Sequence, residues 1–184
     1  MTDEARLEKT ASGLAPAGAG WFVLNLRDAA WVTTGAFGSA CRFEGADAHF
    51  AQVAVNVRVL QPGQPNCLYH REAQQEDFLV LSGECVLVVE EEARPLRAWD
   101  FVHCPPETAH VFVGAGQGPC VILMVGARLD DEGLFFPASE LARRHGAGVA
   151  QATASGDEAY AGGFPGRAPG RPDSWDELPW VSAP

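Results

Sequence analysis

The chain has 184 residues, 47% of them hydrophobic, with 24 acidic and 13 basic side chains and a net charge of −11. That length suits one domain with room for arms at both ends, and the apolar fraction is enough to bury a core. The acidic balance argues against two partners, nucleic acid bound without sequence preference, which needs a basic face, and an anionic membrane surface.

The first residues, Met1 to Ala5, are acidic and lack an apolar signal-type segment, and no apolar run approaches the ~20 residues of a membrane span. A cytoplasmic location is the expectation. The five cysteines, Cys41, Cys67, Cys85, Cys104 and Cys120, are odd in number and form no C-x-x-C pair. They read as free thiols, not as a disulfide framework. Arginine almost wholly replaces lysine among the basic residues, and alanine and glycine are abundant, a usage that suggests a bacterial source.

Residues 1–20 are charged and then rich in Ala, Gly and Pro, which predicts a flexible N-terminal arm, with one helical turn near Glu4 to Lys9. A first strand is predicted over Trp21 to Leu26 and a second over Trp31 to Thr33. The clearest period-2 pattern follows. Val53, Val55, Val57 and Val59 alternate with Gln52, Ala54, Asn56 and Arg58, as in a half-buried antiparallel strand. Gln61-Pro62-Gly63-Gln64-Pro65 ends it with turn chemistry. Further strands are predicted at Asp77–Ser82, Cys85–Val89, Phe101–Cys104, Val111–Val113 and Val121–Val125, with Glu90-Glu91-Glu92 as a solvated hairpin tip. Many short strands at regular spacing indicate a sandwich or barrel. A short helix is expected from Glu140 to His145, stopped by Gly146. The tail is again rich in Gly, Ala and Pro, but Trp175 and Trp180 suggest anchors that dock on the barrel or a neighbouring subunit.

Two segments carry chemistry. The first runs from His70 through Glu72, Gln74, Gln75 and Glu76; the second runs from Asp100 through His103, Cys104, Pro105 and Glu107 to His110. His70, Glu72 and Glu76 share one parity, so on an extended strand they point to one side. With His110 they offer two imidazoles and two carboxylates, a donor set for a divalent transition metal. Other readings stand beside this. Glu72 sits in a polar stretch that could be plain surface, Gln75 offers a carbonyl oxygen, His103 suits a structural role, and Cys67 and Cys104 suit buried packing.

The same two segments resemble the motifs of the cupin superfamily. Gly63 opens the first motif, His70 stands at its first His, Glu72 replaces its second His, Glu76 matches its Glu, and Gly83 follows seven residues later. In the second motif Trp99-Asp100 replaces Gly-Asp, Pro105 fits, Glu107 replaces a Gly, and His110 fits. The resemblance covers about residues 53–125 and implies an all-β fold, a double-stranded β-helix or jelly-roll barrel; the run of predicted strands carries that barrel over residues 21–136, followed by a short helix and C-terminal arm over residues 137–184. The resemblance implies metal ligands His70, Glu72, Glu76 and His110, a cofactor among Fe, Mn, Ni and Zn, and a homodimer. It further implies a metal-dependent enzyme of oxygenase or lyase type acting on a small-molecule substrate, with Glu72 a candidate catalytic base. The alternative is a non-catalytic protein that binds or senses a small-molecule ligand with a structural metal or none.

Overall fold

Short Val-, Leu- and Phe-rich runs divided by Gly and Pro turns pair into antiparallel ladders. The computed structural model describes residues 1–130, 133–161 and 165–181. In chain order the strands are β1 (Arg6–Thr10), β2 (Gly13–Ala17), β3 (Ala30–Thr33), β4 (Ser39–Arg42), β5 (Val53–Leu60), β6 (Glu76–Ser82), β7 (Glu84–Val89), β8 (Glu92–Arg97), β9 (Phe101–Cys104), β10 (His110–Ala115), β11 (Cys120–Ala127) and β12 (Ala168–Pro169). Two short helices, α1 (Glu140–Arg144) and α2 (Gly156–Ala159), follow β11.

A seven-stranded sheet has the order β12-β3-β4-β5-β11-β6-β9, and a three-stranded sheet has the order β10-β7-β8. The two sheets face each other as a jelly-roll barrel. Between them lies an inner core of Leu60, Phe78, Val80, Cys85, Leu87, Phe112, Ile122 and Met124, drawn from both sheets. The outer face of the large sheet buries a second cluster, Trp31, Cys41, Val57, Val59 and Val121, under Leu178 of the C-terminal segment. The rings of Trp175 and Trp180 lie 5.7 and 5.6 Å from that of Trp31, and the Arg27 guanidinium donates to the Trp180 and Val181 carbonyls. The tail therefore docks on its own barrel. Helix α1 covers the outer side of the small sheet. Ser139 caps it by accepting from the Ala142 N–H at 3.0 Å, and Gly146 leaves it at φ 71°.

Gly83, between β6 and β7, needs to be glycine. Its φ is 74°, and a Cβ there would lie 2.3 Å from the Pro119 carbonyl oxygen. At the β7–β8 turn Glu90 and Glu91 take φ 44° and 64°, the left-handed pair of a tight hairpin, as the run of three glutamates suggested.

Three local expectations are corrected. Residues near Glu4 to Lys9 form no helical turn; β1 pairs with β2 in a hairpin. That hairpin is tied to the barrel by the Leu14 N–H donating to the Asp28 carbonyl at 2.7 Å, and Ala5 and Ala15 are buried. Trp21 to Leu26 forms no strand: Trp21 makes a single bridge with Glu4, Leu26 enters a turn, and Leu24 and Leu26 pack against the outer cluster. Strands β4 and β8 were not expected. Strand β8 is almost entirely exposed and holds three charged residues and Pro95. It forms because the tight turn folds it onto β7 as an edge strand. Among the described residues no helix is long and apolar enough to cross a membrane.

Candidate metal centre

Strand β10 begins with His110, and the segment leading into the first motif runs antiparallel to it. The His70 N–H donates to the His110 carbonyl at 3.2 Å, and the His110 N–H donates to the His70 carbonyl at 2.8 Å. The two histidines are thus directly opposed cross-strand partners, and such partners project their side chains from the same face. Their ring centroids are 5.3 Å apart. Glu76 enters from β6, opposite Gly126 of β11.

Each ring is oriented by its own backbone. His70 Nδ1 lies 2.8 Å from the Leu68 carbonyl oxygen and His110 Nδ1 lies 3.0 Å from that of Thr108, two residues back in both cases. A carbonyl only accepts, so each Nδ1 carries the hydrogen and each Nε2 keeps its lone pair for the site. His110 Nε2 lies 3.3 Å from Glu76 Oε2, and His70 Nε2 lies 3.3 Å from Glu72 Oε1. Ligand atoms of His70, Glu76 and His110 all fall within 4.8 Å of one another. Two neutral nitrogens and one carboxylate, oriented by outer hydrogen bonds, fit a divalent transition metal with coordination positions to spare.

Burial governs the electrostatics. It pushes His110 down to about 4, helped by the neighbouring His70, so this ring is neutral at physiological pH. Burial also disfavours charge on His70, but Cys67 and Glu72 outweigh it and hold that ring well above the usual imidazole range, so a metal would take its Nε2 by displacing a proton. Burial opposes charge on Glu72 too, yet hydrogen bonds with His70 and Gln74 keep its carboxyl below the usual range.

The other sequence candidates separate. Glu72 reaches His70 and Gln74 but is not one of the three residues with mutually close ligand atoms. The Gln75 amide donates to Asp77 at 2.6 Å, and His103 pairs with Asp77 at 2.7 Å on the exposed side of β6 and β9. Cys104 is packed in the inner core with its thiol pushed up to about 12 by burial, while Cys67 lies 3.5 Å from His70 Nδ1 at the site's edge. Two motif positions where cupins carry Gly hold Trp99 at φ 78° and Glu107 at φ 69°. The backbone keeps the left-handed conformation there despite the Cβ, at a cost of about 1 kcal/mol each.

A cavity of about 230 Å³ opens beside the cluster. Its wall includes His70 and Glu72 together with Arg58, Asn66, Phe136 and Tyr160. These last four were missed in the sequence. For Arg58 a signal existed, since it lies in the polar phase of the β5 alternation.

Residues 56–126, from within β5 to within β11, match the family model described as a cupin domain. The fold of two facing antiparallel sheets and this match define the class, a double-stranded β-helix protein. Over residues 56–126 the chain carries a cupin domain. Similar solved structures include a protein from Acidithiobacillus ferrooxidans, described provisionally as a sugar phosphate isomerase, 31% identical over 43% of this chain and 52% of that one with a TM-score of 0.42. Another is a sugar phosphate isomerase of the cupin superfamily from Silicibacter pomeroyi, 27% identical over 54% of this chain and 69% of that one with a TM-score of 0.47. A third is the polyketide cyclase RemF from Streptomyces resistomycificus, 13% identical over 67% of this chain and 73% of that one with a TM-score of 0.45. The chain thus spans about half the length of the first of these. Nothing among curated proteins matches it.

Proposed function

We propose that this chain is a metal-dependent enzyme of oxygenase or lyase type that acts on a small organic substrate. One observation supports the reading above the others. Two imidazole Nε2 atoms and the Glu76 carboxylate converge beside a cavity, each ring held by a backbone carbonyl. His70, Glu76 and His110 would hold the cation, one of Fe(II), Mn, Ni or Zn. Bound there, it would supply a Lewis acid beside the substrate. The chain's own groups do the rest. Leu68 and Thr108 fix the rings through their carbonyls, Phe136 and Leu134 give the cavity apolar walls that exclude water, and Glu72 stands where its carboxylate can accept a proton from a substrate in the cavity.

The test is titration of metal-stripped protein with Mn²⁺, followed by calorimetry. Wild type should take up one equivalent, and His110→Ala should bind at least ~100-fold more weakly while its circular-dichroism spectrum stays that of a β-barrel. Equal affinity in the variant would overturn the reading. Water-proton relaxation on the Mn²⁺-loaded protein should report an exchangeable coordinated water. Its absence would turn the reading to a binding or sensing cupin.

A further inference from the structure

Strand β5 carries a second set of groups that the metal centre does not use. Asn56 and Arg58 stand opposite Met124 and Ile122 of β11, both in the inner core, so this phase of the strand faces the barrel interior. The Arg58 side chain lines the cavity that also holds His70 and Glu72. Its Nη1 donates to the Phe37 carbonyl at 3.2 Å, and its Nε is buried with no hydrogen-bond partner. Among the described residues Arg58 takes part in no ion pair.

A guanidinium cannot shed its charge in a protein, so burial without a counterion is destabilising unless something else supplies the anion. The charges around Arg58 do not supply it. Burial is the largest influence and lowers the Arg58 proton affinity; Cys67 and Tyr160 of the same cavity act the other way, but neither is a carboxylate, and Arg167, which lines that cavity too, lowers it again. The cavity's carboxylate, Glu72, is engaged by His70 and Gln74. Both arginines also line an adjoining cavity of about 380 Å³ with Arg42 and Arg128. There Glu44 is already bound, at 2.8 Å by Arg128 and at 2.7 Å by the Phe50 N–H. In a chain of net charge −11, four arginines thus gather around two adjoining cavities, and Arg58 is the least exposed of them.

We propose that the substrate is a small organic anion, whose carboxylate or phosphate is received by Arg58 and Arg167 while its reacting end reaches the cluster of His70, Glu76 and His110. The reacting end rests on the metal-centre reading; the anion seat stands on its own residues. Glu76 stands opposite Gly126 and Arg58 opposite Ile122 on the one strand, β11, between them, so their backbones are about 10 Å apart across the sheet and about 13 Å along it, a gap that two long side chains and a short carbon skeleton together span. Phe37, Leu134 and Phe136 give the cavity an apolar wall for the skeleton. A neutral analogue leaves the buried guanidinium unpaired, so the seat discriminates by charge.

The experiment uses the full chain stripped of metal, titrated with succinate, with inorganic phosphate, and with 1,4-butanediol as the neutral counterpart of succinate. Saturable binding of succinate or of phosphate is expected, and whichever binds tighter names the acidic group. Butanediol should not bind. Arg58→Gln and Arg167→Gln should each weaken the anion by about tenfold or more. Arg58→Met should raise the melting temperature of the ligand-free protein, because it removes a buried charge that has no partner. An anion that binds wild type and Arg58→Gln equally, an absence of saturation for both anions up to about 50 mM, or a melting temperature not raised by Arg58→Met, overturns the inference. Mn²⁺ titration of the same samples keeps the two readings apart. Mn²⁺ uptake without an arginine-dependent anion site leaves the metal centre and sinks the seat. Arginine-dependent anion binding without Mn²⁺ uptake does the reverse.

Discussion

The two faces of β5 obey opposite rules. On the outer face Val57 and Val59 are almost fully buried against Trp31, Val121 and Leu178, with the rings of Trp175 and Trp180 closing over Trp31. On the inner face of the same strand Asn56 and Arg58 line cavities, and each has a buried polar atom without a partner, Asn56 Oδ1 and Arg58 Nε. An alternating strand normally sends its apolar phase to the core and its polar phase to water. Here both phases are enclosed. The apolar one is sealed by a segment more than a hundred residues later, and the polar one is enclosed beside the candidate site. Packing stabilises the first face. The second leaves polar atoms without partners beside unfilled space, which is unfavourable on its own.

The largest effect should come from the sealed face. Trp31→Ala removes a fully buried indole clamped between Trp175 and Trp180, and urea denaturation should show a loss of about 3–5 kcal/mol. The Mn²⁺ affinity of the folded variant should hold, because the centre lies on the other side of the sheet. A loss under about 1 kcal/mol would mean that the C-terminal segment is not closed over Trp31 in solution. Next come two neighbouring substitutions expected to act with opposite signs. Val57→Asn should cost about 2–3 kcal/mol by burying an unsatisfied amide, whereas Asn56→Val should gain about 1 kcal/mol by removing one. If both destabilise in the same denaturation series, the inner face is packed like the outer one and the contrast fails. The smallest effect concerns Glu72. Glu72→Gln should lower Mn²⁺ affinity by less than about tenfold, and Glu76→Gln should lower it by more. Equal losses in calorimetric titration would place Glu72 among the ligands, as the motif spacing alone suggested.

Much of the barrel is legible in the residues themselves, because it rests on local chemistry. Valine-rich runs specify strands, the three glutamates beginning at Glu90 specify a tight turn, and Gly83 marks a left-handed position pressed against the Pro119 carbonyl. Glu140 to His145 reads as a helix because Ser139 can cap it and Gly146 can end it. The candidate ligands are legible too, since His70, Glu76 and His110 sit at motif positions. The motif was less reliable where the chain departs from it. Trp99 and Glu107 hold a glycine conformation that their residue types do not announce.

Alternation, turn chemistry and motif spacing act over a few neighbouring residues, so they made legible the class of fold and a set of four candidate ligands that contains the three groups brought together. Tertiary structure alone decided the rest. It set the register that makes His70 and His110 direct partners, turned the polar phase of β5 inward, and folded the charged strand β8 onto β7. It also laid Leu178 and two tryptophans over Trp31. The physical reason is common to all four. Which face of a strand is buried, and against what, depends on partners tens to more than a hundred residues away, and a shift of one residue in register would reverse every side chain.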